Sequence, residues 1–309
     1  MQDTILRIGT RGSPLALAQA YETRSRLAAA HGLSVDRMEI VVIRTTGDRI
    51  LDRPLAEAGG KGLFTKEIEE ALLAREIDLA VHSMKDMQTA MPAGLAIGAV
   101  LPREDVRDAF LSLVHASLEQ MPSGAVVGTS SLRRQAQLKH ARPDLEVVGF
   151  RGNVQTRLQK LADGVAAATF LATAGLRRLG LAERITATIP VEVMLPAVAQ
   201  GAIGLQLRED DASTARLLQP LDHRPTAVAV ATERAFLARL EGSCRTPIAG
   251  LAELIGDQIR FRGEILSPDG RQRFAAERTG AAGEPERLGT MLADELLARA
   301  GADFLKATI

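Results

Sequence analysis

Residues 8–17 read Ile-Gly-Thr-Arg-Gly-Ser-Pro-Leu-Ala-Leu, and residues 127–136 read Val-Gly-Thr-Ser-Ser-Leu-Arg-Arg-Gln-Ala. Each stretch is the end of an apolar run, a Gly-Thr pair, serines, an arginine and the start of a helix. In the first, Ser13 before Pro14 fits an N-cap followed by the first helical position. A serine oxygen satisfies a free N–H there, and proline has none to lose. The repeat is faint, but it predicts two α/β units of similar design.

Working outward, residues 5–10 read as a strand, Leu15 to about Ala30 as a helix stopped by Gly32, and 35–43 as a second strand. Residues 44–63 hold Gly47, Pro54, Gly59, Gly60 and Gly62 and read as a long mobile loop. Thr65 opens a helix to about Arg75, with Glu67 and Glu69 at its positive end. A strand over 77–82 runs into Ser83-Met84-Lys85-Asp86. The second unit begins near residue 107, with strands at 125–129, 145–150 and 165–171 and helices at 132–141 and 153–162. Such alternation predicts parallel sheets covered by helices. The stretch 201–207 is strand-like and returns the chain to the first unit, and the proline-bearing segments near 101–107 and 190–196 are candidate hinges. After Pro225 the pattern changes to a helix over 226–240, a loop Glu241-Gly242-Ser243-Cys244-Arg245-Thr246-Pro247, three strand-like segments and a helix over 285–300. The expected division is 1–101 with 200–219, then 105–196, then 222–309.

With 309 residues, several domains are expected. Lys plus Arg and Asp plus Glu number 38 each, so no global field recruits nucleic acid or an anionic membrane. Aromatic residues are scarce, with no Trp and one Tyr, which argues against stacking platforms for single-stranded nucleic acid. Cys244 is the only cysteine, so no intrachain disulfide forms. The first residues carry no basic segment followed by an apolar one, and no apolar run approaches the ~20 residues of a membrane span. A reducing cytoplasm is the expected location.

Ligands of open α/β sheets bind beyond the carboxyl ends of the strands. Thr10-Arg11-Gly12-Ser13, Ser83-Met84-Lys85-Asp86, Thr129-Ser130-Ser131 with Arg133-Arg134, and Arg151-Gly152-Asn153 with Arg157 occupy those ends. Helix N-termini and arginine forks there suit a small polyanion; the bland alternative is that each arginine makes a structural ion pair. Asp86 suits hydrogen bonds from ligand N–H groups and a developing cation, or a turn cap. His82 reads as a satisfied structural histidine more readily than a catalytic one. Cys244 beside Arg245 is either an activated nucleophile or a small buried hydrophobe. No Cys/His spacing suggests zinc. Gly59-Gly60-Lys61-Gly62 lacks the Walker spacing of a phosphate loop and reads as a flexible lid.

The same residues resemble the motifs of the porphobilinogen deaminase family, in family order. They are residues 7–17, Gly-Gly-Lys-Gly-Leu-Phe-Thr-Lys-Glu (59–67), Val-His-Ser-Met-Lys-Asp (81–86), Arg-Glu-Asp-Val-Arg-Asp-Ala-Phe (103–110), Gly-Thr-Ser-Ser-Leu-Arg-Arg-Gln (128–135), Arg-Gly-Asn-Val-Gln-Thr-Arg-Leu (151–158), Ala-Gly-Leu-Arg-Arg-Leu-Gly (174–180), Gln-Gly-Ala (200–202) and Leu-Glu-Gly-Ser-Cys-Arg-Thr-Pro-Ile (240–248). The resemblance implies two α/β domains like those of periplasmic binding proteins, flanking a cleft, and a smaller α+β C-terminal domain. It implies a dipyrromethane cofactor held through a thioether on Cys244 and built by the enzyme from its own substrate. The implied reaction condenses four porphobilinogen molecules head to tail, releasing ammonia through an azafulvenium-like cation, to give hydroxymethylbilane. That product would pass to uroporphyrinogen-III synthase, and the enzyme would be a monomer.

By the same resemblance, Asp86 is catalytic, and Ser83, Lys85, Asp86, Thr129, Ser131, Arg133 and Arg134 hold the cofactor. Arg11, Ser13, Arg151, Arg157, Arg178 and Gln200 bind substrate, and Lys61 and Phe64 belong to the lid. Two positions depart from the family. Met87-Gln88 stands where Val/Met-Pro is commoner, so a looser turn is expected, and Ala167 stands where aspartate is usual, so a structural hydrogen bond is expected to be missing. Three rival readings are a solute-binding module for a small dicarboxylate, a cysteine-dependent acyl or glycosyl transferase, and a nucleic-acid binder. The first leaves Cys244 without a role, the second needs a histidine beside Cys244 in space, and neutral charge argues against the third.

Overall fold

A computed structural model describes residues 6–49, 62–242, 246–301 and 304. In chain order the first elements are β1 (Leu6–Arg11), α1 (Pro14–His31), β2 (Met38–Ile43), the single turn α2 (Thr46–Arg49), α3 (Lys66–Leu73), β3 (Leu79–Ser83) and β4 (Leu95–Val100). Then come β5 (Asp108–Ser112), β6 (Val126–Gly128), α4 (Leu132–Ala141), β7 (Glu146–Val148), α5 (Val154–Ala162), β8 (Ala168–Ala172), α6 (Thr173–Arg178) and β9 (Ala187–Thr188). The chain continues through β10 (Ile203–Arg208), α7 (Ala212–Leu218) and α8 (Arg224–Arg239), and ends with β11 (Ile248–Ile255), β12 (Gln258–Leu266), β13 (Arg273–Ala281) and α9 (Pro285–Ala300).

Two compact units form, one from residues 1–103 and 202–227, the other from 104–201 and 228–309. The first holds a five-stranded sheet in the order β2-β1-β3-β10-β4. Its core gathers Ile8, Leu27, Leu79, Leu101, Ile203 and Leu205, all buried. The second holds a five-stranded sheet in the order β7-β6-β8-β5-β9 and the antiparallel sheet β11-β12-β13. Phe110 and Phe170 centre the five-stranded core at 6.2 Å between rings. Leu195 packs with Ala249 and Leu251 of β11 in a smaller cluster of this unit.

The caps explain where the helices start. Ser13 Oγ accepts from Ala16 N at 3.3 Å, and Gly32 at φ 61 ends α1 in the left-handed region that glycine adopts freely. Asn153 Oδ1 accepts from Thr156 N at 2.8 Å, and Ser131 caps α4.

The structure departs from the sequence expectations at four places. The second strand begins at Met38, because Ser34 caps a 3-10 turn over Val35–Arg37. Strands β4, β5 and β9 and helices α6 and α7 are additional to the elements expected from the sequence. The first five-stranded sheet is mixed rather than parallel: β10 runs antiparallel to β3 and β4. So is the second, where β5 runs antiparallel to β8 and β9. An antiparallel neighbour needs no crossover helix, and β10 is fed by chain arriving from the second unit rather than from a βαβ turn. Finally, the expected loop over 44–63 contains the helical turn α2; its residues 50–61 lie outside the described residues.

Candidate active site

In the first unit, Arg11, Ser13, Gln19, Phe64, Thr65, His82, Ser83 and Asp86 line one cavity. β1 delivers Arg11 at its last residue, α1 with its N-cap brings Ser13 and Gln19, and β3 with the 3-10 turn Met84–Asp86 brings Ser83 and Asp86, while Lys85 on the same turn is not among the lining residues. The Arg11 guanidinium carbon lies 4.1 Å from the Phe64 ring centroid, a cation–π contact. Ser83 Oγ lies 2.9 Å from Gln19 Nε2. Thr65 Oγ1 is buried with no hydrogen-bond partner among the described residues. Gln19 and Thr65 are the residues that sequence reasoning missed; Gln19 sits mid-helix with nothing in its neighbours to mark it, and Thr65 read only as a helix start. Met87 donates its N–H to Met84 O at 3.2 Å and buries its side chain.

His82 is buried on the strand behind this cavity. Gln206 Nε2 donates to Glu69 Oε1 at 3.2 Å, which turns the amide oxygen towards His82. His82 Nε2 lies 2.9 Å from that oxygen and is therefore the protonated nitrogen of a neutral ring. Burial, opposed by the Gln206 hydrogen bond and reinforced by the Arg11 charge, pushes the His82 pKa down to about 4. An unfolded histidine titrates near 6.5, so between about pH 4 and 6.5 the unfolded chain binds a proton that the folded chain does not. Stability is then expected to rise with pH across that window, by roughly 3 kcal/mol in total. Urea unfolding of His82→Gln at several pH values should lose this slope; an unchanged slope would refute it.

The second unit gathers its charges around Asp108 on β5. Arg133 Nη2 donates to Asp108 Oδ2 at 2.7 Å, and Arg134 Nη2 and Nε donate to Oδ1 at 2.7 and 3.2 Å. Arg133 also reaches Leu195 O and Arg134 reaches Phe170 O. Gln200 Nε2 completes the cluster with Val106 O at 2.8 Å and Asp108 Oδ1 at 3.0 Å. All four side chains are buried. Burial alone would raise the Asp108 pKa, but the charges and hydrogen bonds of Arg133 and Arg134 outweigh it and hold the carboxyl well below the usual range.

The sequence therefore located these arginines but not their partner: where free anion receptors were expected, a buried aspartate already engages both. Asp108 lies within the 103–110 motif, but a charge at the head of the apolar run Ala-Phe-Leu gave no sign of which residues it would pair with. Thr129 accepts from Ser131 N. Arg157 and Arg178 reach the backbone at Gly152 O and Gly201 O, at 2.9 and 3.0 Å. Ala167, where a missing hydrogen bond was expected, keeps its backbone engaged: its N–H donates to Val126 O and its carbonyl accepts from Ser112 Oγ.

Residues 6–216 match the family model described as porphobilinogen deaminase, dipyromethane cofactor binding domain, and residues 227–298 match porphobilinogen deaminase, C-terminal domain. The chain belongs to the porphobilinogen deaminase family. The porphobilinogen deaminase of Paracoccus denitrificans (strain Pd 1222) is 65% identical over 299 residues, 97% of this chain and 96% of that one. The chloroplastic porphobilinogen deaminase of Pisum sativum is 53% identical over 309 residues, 98% of this chain and 84% of that one. Among solved structures, a periplasmic substrate-binding protein of an ABC transporter from Coxiella burnetii shares 16% identity at TM-score 0.43, covering 74% of this chain and 96% of its own. A nutrient binding protein from Burkholderia cenocepacia bound to methionine shares 12% at TM-score 0.43, covering 70% and 90%.

Its activity is that of a hydroxymethylbilane synthase, a transferase of tetrapyrrole biosynthesis that acts on porphobilinogen, and its cofactor is dipyrromethane. Among the described residues no helix is long and apolar enough to cross a membrane, and no cluster of potential metal ligands occurs. Cys244 and Lys61 lie outside the described residues. The donor set present fits a cofactor bearing carboxylates. Two arginines share one aspartate, which leaves a surplus positive charge, since nearby Glu264 is paired with Arg273 at 2.7 Å. Arg133 Nε and Arg151 Nη1 are buried donors with no hydrogen-bond partner among the described residues, and an orphaned buried donor is costly unless an acceptor arrives.

Proposed function

We propose that Asp86 is the catalytic carboxylate of the deaminase and that Cys244 holds the dipyrromethane through a thioether. Bound in this way, the dipyrromethane would supply the free pyrrole α-carbon to which the first porphobilinogen is joined, each later one being joined to the end of the chain so extended. Asp86 accepts hydrogen bonds from pyrrole N–H groups and balances the positive charge that develops as ammonia leaves. Arg11, which lies over Phe64, binds an acetate or propionate, and Ser13 and Ser83 orient the same groups. Arg133, Arg134, Thr129, Ser131 and Lys85 bind the carboxylates of the cofactor. Arg151, Arg157, Arg178 and Gln200 bind those of the growing chain. Phe64, with Lys61, covers the bound ligand as part of a lid.

The observation that carries this reading is the pairing of surplus arginine charge with orphaned buried donors around Asp108 and Arg151. A carboxylate-rich ligand completes both at once. The product, hydroxymethylbilane, is handed to uroporphyrinogen-III synthase. The enzyme acts as a monomer in the cytoplasm, a location that its 65% identity to a bacterial relative supports.

Intact-mass measurement with fragmentation of the modified peptide tests the attachment. The mass of two linked pyrroles is expected on Cys244, and Cys244→Ser is expected to carry no stable adduct. A normal covalent adduct in Cys244→Ser would place the attachment elsewhere.

A further inference from the structure

We propose that Glu233 is a positioning residue of this deaminase: it pins the C-terminal sheet to the turn at Ala199 and thereby sets Gln200 against Asp108 and the arginine pair. Glu233 lies on α8 and is fully buried. Its Oε1 accepts from Ala252 N on β11 at 2.9 Å, and its Oε2 accepts from Ala199 N at 2.5 Å. One carboxylate thus holds backbone from two separate segments. A carboxylate suits these two contacts because its oxygens accept, and both backbone N–H groups only donate. A glutamine would turn its own NH₂ towards one of the two N–H groups.

The turn it grips is strained. Ala199 sits at φ +58, in the left-handed region that a residue with a Cβ avoids. Gly201, two residues on, has φ +88, and a Cβ there would meet the Glu104 carbonyl oxygen. Between them Gln200 is wholly buried and points its amide at Val106 O and Asp108 Oδ1. A relaxed Ala199 would rotate the following peptide and withdraw that amide. Asp108 would then lose one of the donors that orient it between Arg133 and Arg134. A second tether, from Gly250 N to Pro196 O at 3.1 Å, runs beside the first. β11 begins at Ile248, shortly after Cys244 in the chain. Glu233 therefore gives the cofactor-bearing domain and the arginine cluster a common mechanical reference.

This role presupposes the proposed binding of ligand carboxylates by Gln200 and the arginines. The test is steady-state kinetics of the holoenzyme with porphobilinogen for Glu233→Gln, Gln200→Ala and the double variant. Glu233→Gln is expected to raise KM about tenfold with kcat changed by no more than about twofold, as for a lost binding contribution between coupled neighbours. In the Gln200→Ala background it should add no further increase. Ala199→Gly in the Glu233→Gln protein should restore part of the KM, because glycine adopts the turn without being held. Additive effects of Glu233→Gln and Gln200→Ala would overturn the positioning role. So would a raised KM in Gln200→Ala beside an unchanged one in Glu233→Gln. An unchanged KM in Gln200→Ala itself would instead overturn the binding role of Gln200, and the positioning role with it. Should Glu233→Gln fail to fold, Ala199→Gly alone decides the matter. With Glu233 in place it should leave KM unchanged, and a raised KM would show that Ala199, not Glu233, holds the turn.

Discussion

Asp108→Ala is expected to destabilise this deaminase by about 3–5 kcal/mol, the cost of stripping a buried ion cluster of one partner. Asp108 is fully buried and is the shared counter-charge of Arg133 and Arg134. Without it two guanidinium groups face each other in a site closed to water, each with only backbone carbonyls to bind. Such a loss is a large part of the total stability of a domain. Chemical unfolding measures it directly. The pH dependence has a definite sign: a carboxyl held below its usual range contributes fully above an ordinary carboxylate pKa, near 4, and loses that contribution as pH falls through the depressed folded value. The gap between wild type and variant should therefore stay constant from neutral pH to about pH 4 and narrow only in stronger acid. A destabilisation under about 1 kcal/mol would mean that water or another anion already screens the pair. The triple variant Asp108→Leu, Arg133→Met, Arg134→Met should recover much of the stability, because apolar side chains of similar volume replace buried ions at little cost. It should still fail to retain the carboxylate-bearing cofactor. A triple variant that keeps the cofactor would remove the arginines from its binding set.

Asp86→Ala should lower turnover by about 10²–10⁴-fold, the range for a lost acid–base or charge-stabilising group. The turn Met84–Asp86 places Asp86 on the cavity with Arg11 and Ser83, and the Met87 N–H closes that turn independently of the aspartate side chain. The fold should hold, and the thermal midpoint should move little. The dipyrromethane mass should remain attached, so a fall in kcat with an intact adduct separates catalysis from assembly. Asp86→Glu, which keeps the charge but moves it, should retain more activity than Asp86→Ala. Normal turnover in Asp86→Ala would end the catalytic role.

Local signals carried the reading of helices and strands furthest where each residue answers to its neighbours. Ser13-Pro14, Gly32, Asn153 and Ser131 mark helix ends because caps are satisfied within a turn of chain. The three C-terminal strands were legible for the same reason: they pair as consecutive hairpins, in register from Ile248 to Ala281. Strand β4 escaped notice because Leu-Ala-Ile-Gly-Ala-Val carries small residues in no clean alternation. Strand β5 opens on Asp108, a residue that normally ends strands rather than starting them.

The sequence by itself determined the family, the two α/β halves and the candidate catalytic and binding residues, since ordered motifs and short-range caps are written in adjacent positions. Tertiary structure alone decided the strand directions of β5 and β10 and the partners of the charged residues. Asp108 lies 25 positions from Arg133, Glu233 lies 34 from Ala199, and Gln206 lies 124 from His82. Whether a buried charge meets its counter-charge, and whether a histidine is held neutral, depends on which distant segments the fold brings within about 3 Å, where burial makes hydrogen bonds and charges decisive.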